Sequence, residues 1–182
     1  MTRHSTASLT RAVSEHDHIR GPANALVTLL EDGDYECPYC GAAHPVVEEL
    51  RKSLGDRMRF VFRNFPLTQI HPNAMIAAES AEAAGAHGKF WEMHDLLYTN
   101  QEALEPENLV EYATWINLDP KIITEALTAH EFESRIRQDF SAGIRSGVNG
   151  TPTFFINNAR YDGSPDFDSM LAVIELAIEQ GG

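Results

Sequence analysis

The sequence predicts an α/β fold in which a βαβ unit and a ββα unit are separated by a block of helices. Three observations carry that reading. A short apolar run, "NALVTLLE" (24–31), precedes an amphipathic stretch from Pro38 to Leu54 and a second strand-like run, "RMRFVFRNFP" (57–66). From about His71 to Ser146 the apolar residues recur at helical spacing, with no convincing strand. After Gly150 the pattern returns to aromatic and β-branched residues in "TPTFFINN".

Each element has a local reason. Residues 1–22 are polar and aperiodic, so a flexible N-terminal arm, frayed or loosely docked, is expected there. The first strand is apolar on both faces, as a buried strand must be. The helix that follows opens at Pro38, a residue suited to the first helical position because its missing N–H would be unpaired there anyway. Val46, Val47, Leu50 and Leu54 form its apolar stripe, and Gly55 ends it. Pro45 lies inside and should bend it, the small Gly41 easing the clash with the carbonyl four residues back. The two strands and this helix make a parallel, right-handed crossover. Within the helical block, Leu109, Tyr112, Ala113 and Ile116 share one face, Asp119-Pro120 reads as a cap and first turn, and Phe132, Ile136, Phe140 and Ile144 recur every four residues. "ARYDGS" pairs back on "TPTFFINN" across Asn157-Asn158, residues that tolerate a left-handed turn. A last helix spans about 166–180. The expected division is therefore 23–68 with 148–182 as one domain and 69–147 as a helical insertion.

Composition sets limits on function. A formal charge of −13 argues against nucleic acid or an anionic membrane surface as the main partner. No apolar run reaches the eighteen or so residues that span a membrane, and the first residues carry no secretory apolar core. A cytoplasmic protein is expected, and in that compartment thiols are mostly kept reduced.

The chain has two cysteines, Cys37 and Cys40, in "ECPYC". Two small core residues at the head of a helix would explain them poorly. Structural zinc wants four ligands, so His44, His71 or His94 would have to complete a set whose spacing follows no ligand pattern. A redox dithiol fits best. Cys37 would be the N-cap residue, its sulfur facing the unpaired N–H groups of Tyr39 and Cys40 and the positive helix end. That arrangement lowers the thiol pKa and makes Cys37 the attacking thiolate. Cys40, one turn further in, would resolve. Glu36 disfavours the thiolate and is expected to face solvent. Glu31, an acid in an apolar run, is costly unless used or solvated, and could take the proton of Cys40 through a water. Phe90 and Trp91 read as core, His71 as a helix entry and His94 as structural.

The segments "EDGDYECPYC", "RNFPL", "IHPNAMIAAESAEAAG", "GKFWEMHDLLYTNQ" and "SGVNGTPTFFIN" resemble, in that order, the DsbA-like branch of the thioredoxin superfamily, from about Asp17 to Ile178. The resemblance implies a thioredoxin fold interrupted by a helical domain, and thiol–disulfide exchange at the Cys-x-x-Cys pair. It makes Pro152 the cis-proline facing that pair, with Thr151 offering backbone groups to an extended substrate, and Glu31 the buried acid before it. Pro38-Tyr39 is the dipeptide of glutaredoxins, whereas the periplasmic oxidant of the family carries Pro-His, so a less oxidising pair is expected. No cofactor is implied beyond the Cys37–Cys40 disulfide itself. The implied partners are protein thiols and disulfides, or a small thiol such as glutathione, and a redox recycling partner. The rival expectation is a binding module on the same fold, using the pair to anchor a partner or a metal without turnover.

Overall fold

A computed structural model of the chain describes residues 7–181. The sheet has the order β1-β3-β2-β4-β5, formed by β1 (His18–Arg20), β2 (Val27–Gly33), β3 (Met58–Asn64), β4 (Thr153–Ile156) and β5 (Ala159–Tyr161). β2 and β3 are parallel and joined through α1 (Pro38–Leu54), and the other pairings are antiparallel. Between β3 and β4 lie α2 (Ala74–Ala86), α3 (Phe90–Thr99), α4 (Pro106–Trp115), α5 (Pro120–Ala129) and α6 (Glu133–Arg145); α7 (Phe167–Gly181) closes the chain. This is the thioredoxin fold with a helical insertion that the sequence predicts.

All seven residues of β2 are buried. Its side chains alternate between two cores. On one side Val27 and Leu29 meet α1, α7 and the insertion, with Cys37, Cys40, Val47 and Leu50 in the same cluster. On the other side Leu30, Val61, Phe65, Val148 and Phe155 form a smaller core, covered by Leu9, Val13, Ile19 and Phe140. β2 runs two residues beyond the apolar stretch, to Gly33, because β3 on one side and β4 on the other pair with the backbone of Asp32. The local caps follow the sequence. Asp119 accepts a hydrogen bond from Lys121 N at 3.0 Å, and Asn157 takes φ 54° in the β4–β5 turn. α1 continues through Pro45 as one helix.

The expected flexible arm needs correction. Residues 1–6 lie outside the described residues, but from Ala7 the chain is a strap laid across the second face of the sheet. It begins at the β5 edge, where Leu9 N donates to Asn158 O at 3.1 Å and Arg160 N to Ala7 O at 2.9 Å. It ends at the opposite edge as β1, paired with Phe60, Val61 and Phe62. In the middle, Arg63 of β3, only 1% exposed, donates to both oxygens of Asp17 and to the carbonyls of Arg11 and Ala12. A polar, aperiodic segment docks because backbone pairing at two edges and one buried arginine replace the missing apolar period.

Candidate active site

Cys37 is the N-cap residue of α1, in extended backbone geometry, with Pro38 at the first helical position. The turn before α1 is fixed by Asp34. Its buried carboxylate accepts from Glu36 N at 2.8 Å, Leu67 N at 2.8 Å and His71 Nδ1 at 2.7 Å. The 67–71 loop is thereby tied beside the cysteines, with Ile70 exposed on it. Glu36 does not face solvent freely. It accepts from Asn73 N at 2.6 Å and so holds the start of α2, because those N–H groups of a helix end need an acceptor.

Both thiols are free and buried. Cys37 Sγ lies 3.4 Å from Thr151 O, and the Thr151–Pro152 peptide bond is cis. The segment "GTPT", more than a hundred residues away in sequence, thus lies against the head of α1. The two sulfurs have opposite character. The Cys37 pKa is lowered to about 5, chiefly because the Cys40 thiol donates to it. Burial opposes this, and the Thr151 side chain and the N–H groups of Cys40 and Tyr39 add to it. Those N–H groups face the sulfur without closing a side-chain cap hydrogen bond. Cys40 is pushed well above the ordinary thiol range, first by burial, then by its bond to Cys37 and the charge of Glu31. The arrangement can hold one thiolate and one thiol side by side.

Glu31 sits on β2, opposite Phe62 of β3 and Phe154 of β4. It is 2% exposed, and its pKa rises to about 8 through burial, with Asp32 and Cys37 adding to the rise. The acid is therefore mostly protonated at neutral pH, a point that sequence alone does not give. Around the sulfurs the surface is open: Pro38 is exposed, Tyr39 is 75% exposed, and Thr151 and Pro152 are half-buried.

The structure does not bring His44, His71 or His94 to the cysteines as a ligand set. His71 is bonded to Asp34. His94 is buried among aromatic rings with Tyr35 Oη 3.0 Å from its Nδ1. His44 and His94 do lie together with Asp95, but Arg20 already bonds both Asp95 oxygens. Phe90 and Trp91 pack in the core.

Two residues escape sequence reasoning. Asp34 sits in an unremarkable local pattern. Gln101, in the turn after α3, donates to Tyr35 O at 2.7 Å and Cys37 O at 2.9 Å, pinning the strand-to-helix turn. It passes where a side chain on residue 41 would stand, since a Cβ there would overlap Gln101 Oε1. Gly41 inside a helix was the available signal, and its reason is this close approach.

Comparison with known proteins agrees with the geometry. A family model described as Thioredoxin matches residues 13–176. Among solved structures, oxidised BdbD from Bacillus subtilis superposes with TM-score 0.82 at 24% identity, covering 90% of this chain and 93% of that one. A thioredoxin-like oxidoreductase from Silicibacter pomeroyi gives 0.80 at 25% identity, covering 91% and 94%. Curated relatives carry a different name. Na(+)/H(+) antiporter NhaA 1 of Salinispora arenicola is 46% identical over 163 residues, 90% of this chain but 25% of that protein. Antiporter NhaA of Herminiimonas arsenicoxydans is 40% identical, covering 90% and 26%. The chain thus spans about a quarter of the curated relatives it matches. With the family model covering most of its length, the chain belongs to the thioredoxin family, and its fold, helical insertion included, is that of the solved structures it superposes on.

Proposed function

We propose that the chain is a thiol–disulfide oxidoreductase acting on protein thiols and disulfides through Cys37 and Cys40. The observation that carries this reading is the placement of the pair: Cys37 at the head of α1, 3.4 Å from Thr151 O and beside the exposed Pro38 and Tyr39, with Cys40 one turn in and fully buried. That placement lowers the Cys37 pKa to about 5 and holds Cys40 as thiol. In reduction, the Cys37 thiolate attacks one sulfur of a substrate disulfide and expels the other as a thiolate. Cys40 then gives up its proton and attacks Cys37 Sγ, releasing the second substrate thiol and leaving the Cys37–Cys40 disulfide. Oxidation runs the same steps backward, with Cys40 the leaving thiolate. Glu31 carries the proton: ionised, it accepts from Cys40; protonated, it returns the proton as Cys40 leaves. Thr151 and Pro152 line the substrate groove, where backbone groups of Thr151 pair with an extended chain, and Tyr39 offers an exposed ring at its rim.

A small thiol such as glutathione and a separate recycling protein are proposed as further exchange partners, since the pair must be returned to its starting state after each turnover. Cytoplasmic work, where the pair would act mainly as a reductant, is proposed on the same footing. Ion antiport is the named activity of relatives of which this chain spans about a quarter. Among the described residues no helix is long and apolar enough to cross a membrane.

The test is exchange with a model protein disulfide. The wild type should turn over, Cys37→Ser should lose all activity, and Cys40→Ser should accumulate a mixed disulfide with substrate. Equal turnover by Cys37→Ser and wild type would refute the reading. No turnover by any form, with zinc released on alkylation, would favour the binding module instead.

A further inference from the structure

Glu31 and Tyr98 meet at Gly33. A Cβ on Gly33 would lie 3.0 Å from Glu31 Oε1, 2.8 Å from Tyr98 Oη and 2.5 Å from Phe62 Cε2. The two polar atoms therefore converge on one opening, which exists because residue 33 has no side chain. Both are buried, and neither has a hydrogen-bond partner. A buried, unpartnered polar atom is costly and calls for an explanation. Here two of them face one space, one able to donate and the other needing a donor once it ionises.

We propose that Tyr98 is a positioning residue for Glu31, its hydroxyl supplying the hydrogen bond that the ionised carboxylate requires, across the opening left by Gly33. The inference rests on Glu31 being the proton carrier of the exchange. When Cys40 gives its proton to Glu31, Tyr98 releases the acid as it becomes neutral; when Glu31 returns the proton, the hydroxyl takes up the new charge. No atom is consumed, and the proton moves between Cys40 Sγ and a Glu31 oxygen. Tyr98 belongs to α3, so the insertion supplies part of the proton chemistry of the sheet domain. The ionisable groups around Glu31 are Asp32 on its own strand, Tyr35 in the following turn, Cys37 and Cys40 at the head of α1, and Tyr98 on α3, which also feels Asp34. Among these, Tyr98 presents an unpartnered donor at the Gly33 opening.

Infrared titration of the Glu31 carboxyl, assigned by its loss in Glu31→Gln, reads the effect directly. Tyr98→Phe removes the hydroxyl and keeps the ring. The Glu31 midpoint should rise by about one pH unit, while the alkylation midpoint of Cys37 stays in place. In the Cys37→Ser background, the pH profile of Cys40 alkylation should move with Glu31, and the Tyr98→Phe effect should vanish in Glu31→Gln. An unmoved Glu31 midpoint overturns the inference, as does an equal shift of the Cys40 profile in Glu31→Gln. A purely structural role would lower the unfolding midpoint and leave the titration unchanged. Because these titrations need no substrate, they separate from the exchange assay. A moved midpoint without turnover leaves Tyr98 as the partner of Glu31 and overturns its part in exchange together with the proposed function.

Discussion

At the scale of single residues, the chemistry turns on how one sulfur is made charged and its neighbour kept neutral. A Cys40 thiol donating to Cys37 stabilises the thiolate on one and holds the proton on the other. Alkylation of Cys37 against pH should therefore show a midpoint near 5, and a midpoint near the free-thiol value of about 8.5 would contradict the site geometry. Thiolates in this superfamily run from about 7 in thioredoxin to about 3.5 in DsbA, and their potentials from about −270 to about −120 mV. The value at Cys37 lies between, so a glutathione redox titration should place the pair between them too, below about −150 mV. Gln101 gives a second residue-scale expectation. Its amide is the donor to both Tyr35 O and Cys37 O, so Gln101→Ala leaves two carbonyls of the active-site turn without that partner. The variant should lose about 1–3 kcal/mol of stability and alkylate faster at Cys40, as read by denaturant unfolding and mass change.

At the scale of elements, close approach decides which helix lies where. α6 packs on the second face of the sheet at Gly143. A Cβ there would stand 2.7 Å from Phe65 Cδ2 and 3.2 Å from Asp32 Oδ1. Gly143→Ala should cost about 1–3 kcal/mol by forcing α6 away, measured by thermal unfolding. The strap is the other element whose placement depends on one contact set. Arg63 and Asp17 are both nearly inaccessible at 2% and 4% of their side chains, and burial is tolerable because they are paired. Arg63→Ala should cost about 3 kcal/mol or more and free residues 7–20 to protease, visible by limited digestion. Neither placement was legible beforehand. Helical spacing identified α6 as a helix, but the tilt allowing Gly143 against Phe65 is not a periodic property. The strap has no period at all, since its order comes from edge pairing and Arg63.

At the scale of the whole molecule, stability and acidity are linked through two adjacent acids on opposite faces of β2. Burial raises Glu31 to about 8 and Asp32 to about 7, Arg63 opposing the latter rise. Both values lie above the unfolded carboxylate range of about 4. For groups raised on folding, the contribution to stability is complete below the unfolded value and is lost as pH climbs toward the folded one. Net stability should fall between about pH 4 and pH 8, and Glu31→Gln should raise the unfolding midpoint more at pH 8 than at pH 5, since glutamine never has to ionise. An equal gain at both pH values would refute this linkage. The sequence by itself determined the order of elements from β2 onward, the helix starts at Pro38 and Asp119, the Asn157 turn and the Cys37–Cys40 spacing at the head of a helix, because each depends on near neighbours in the chain. The pairing of β1 with β3, the meeting of Thr151 with Cys37, the protonation of Glu31 and its convergence with Tyr98 were decided by tertiary structure alone. They depend on distance, burial and dielectric between residues far apart in sequence, and no local pattern encodes those quantities.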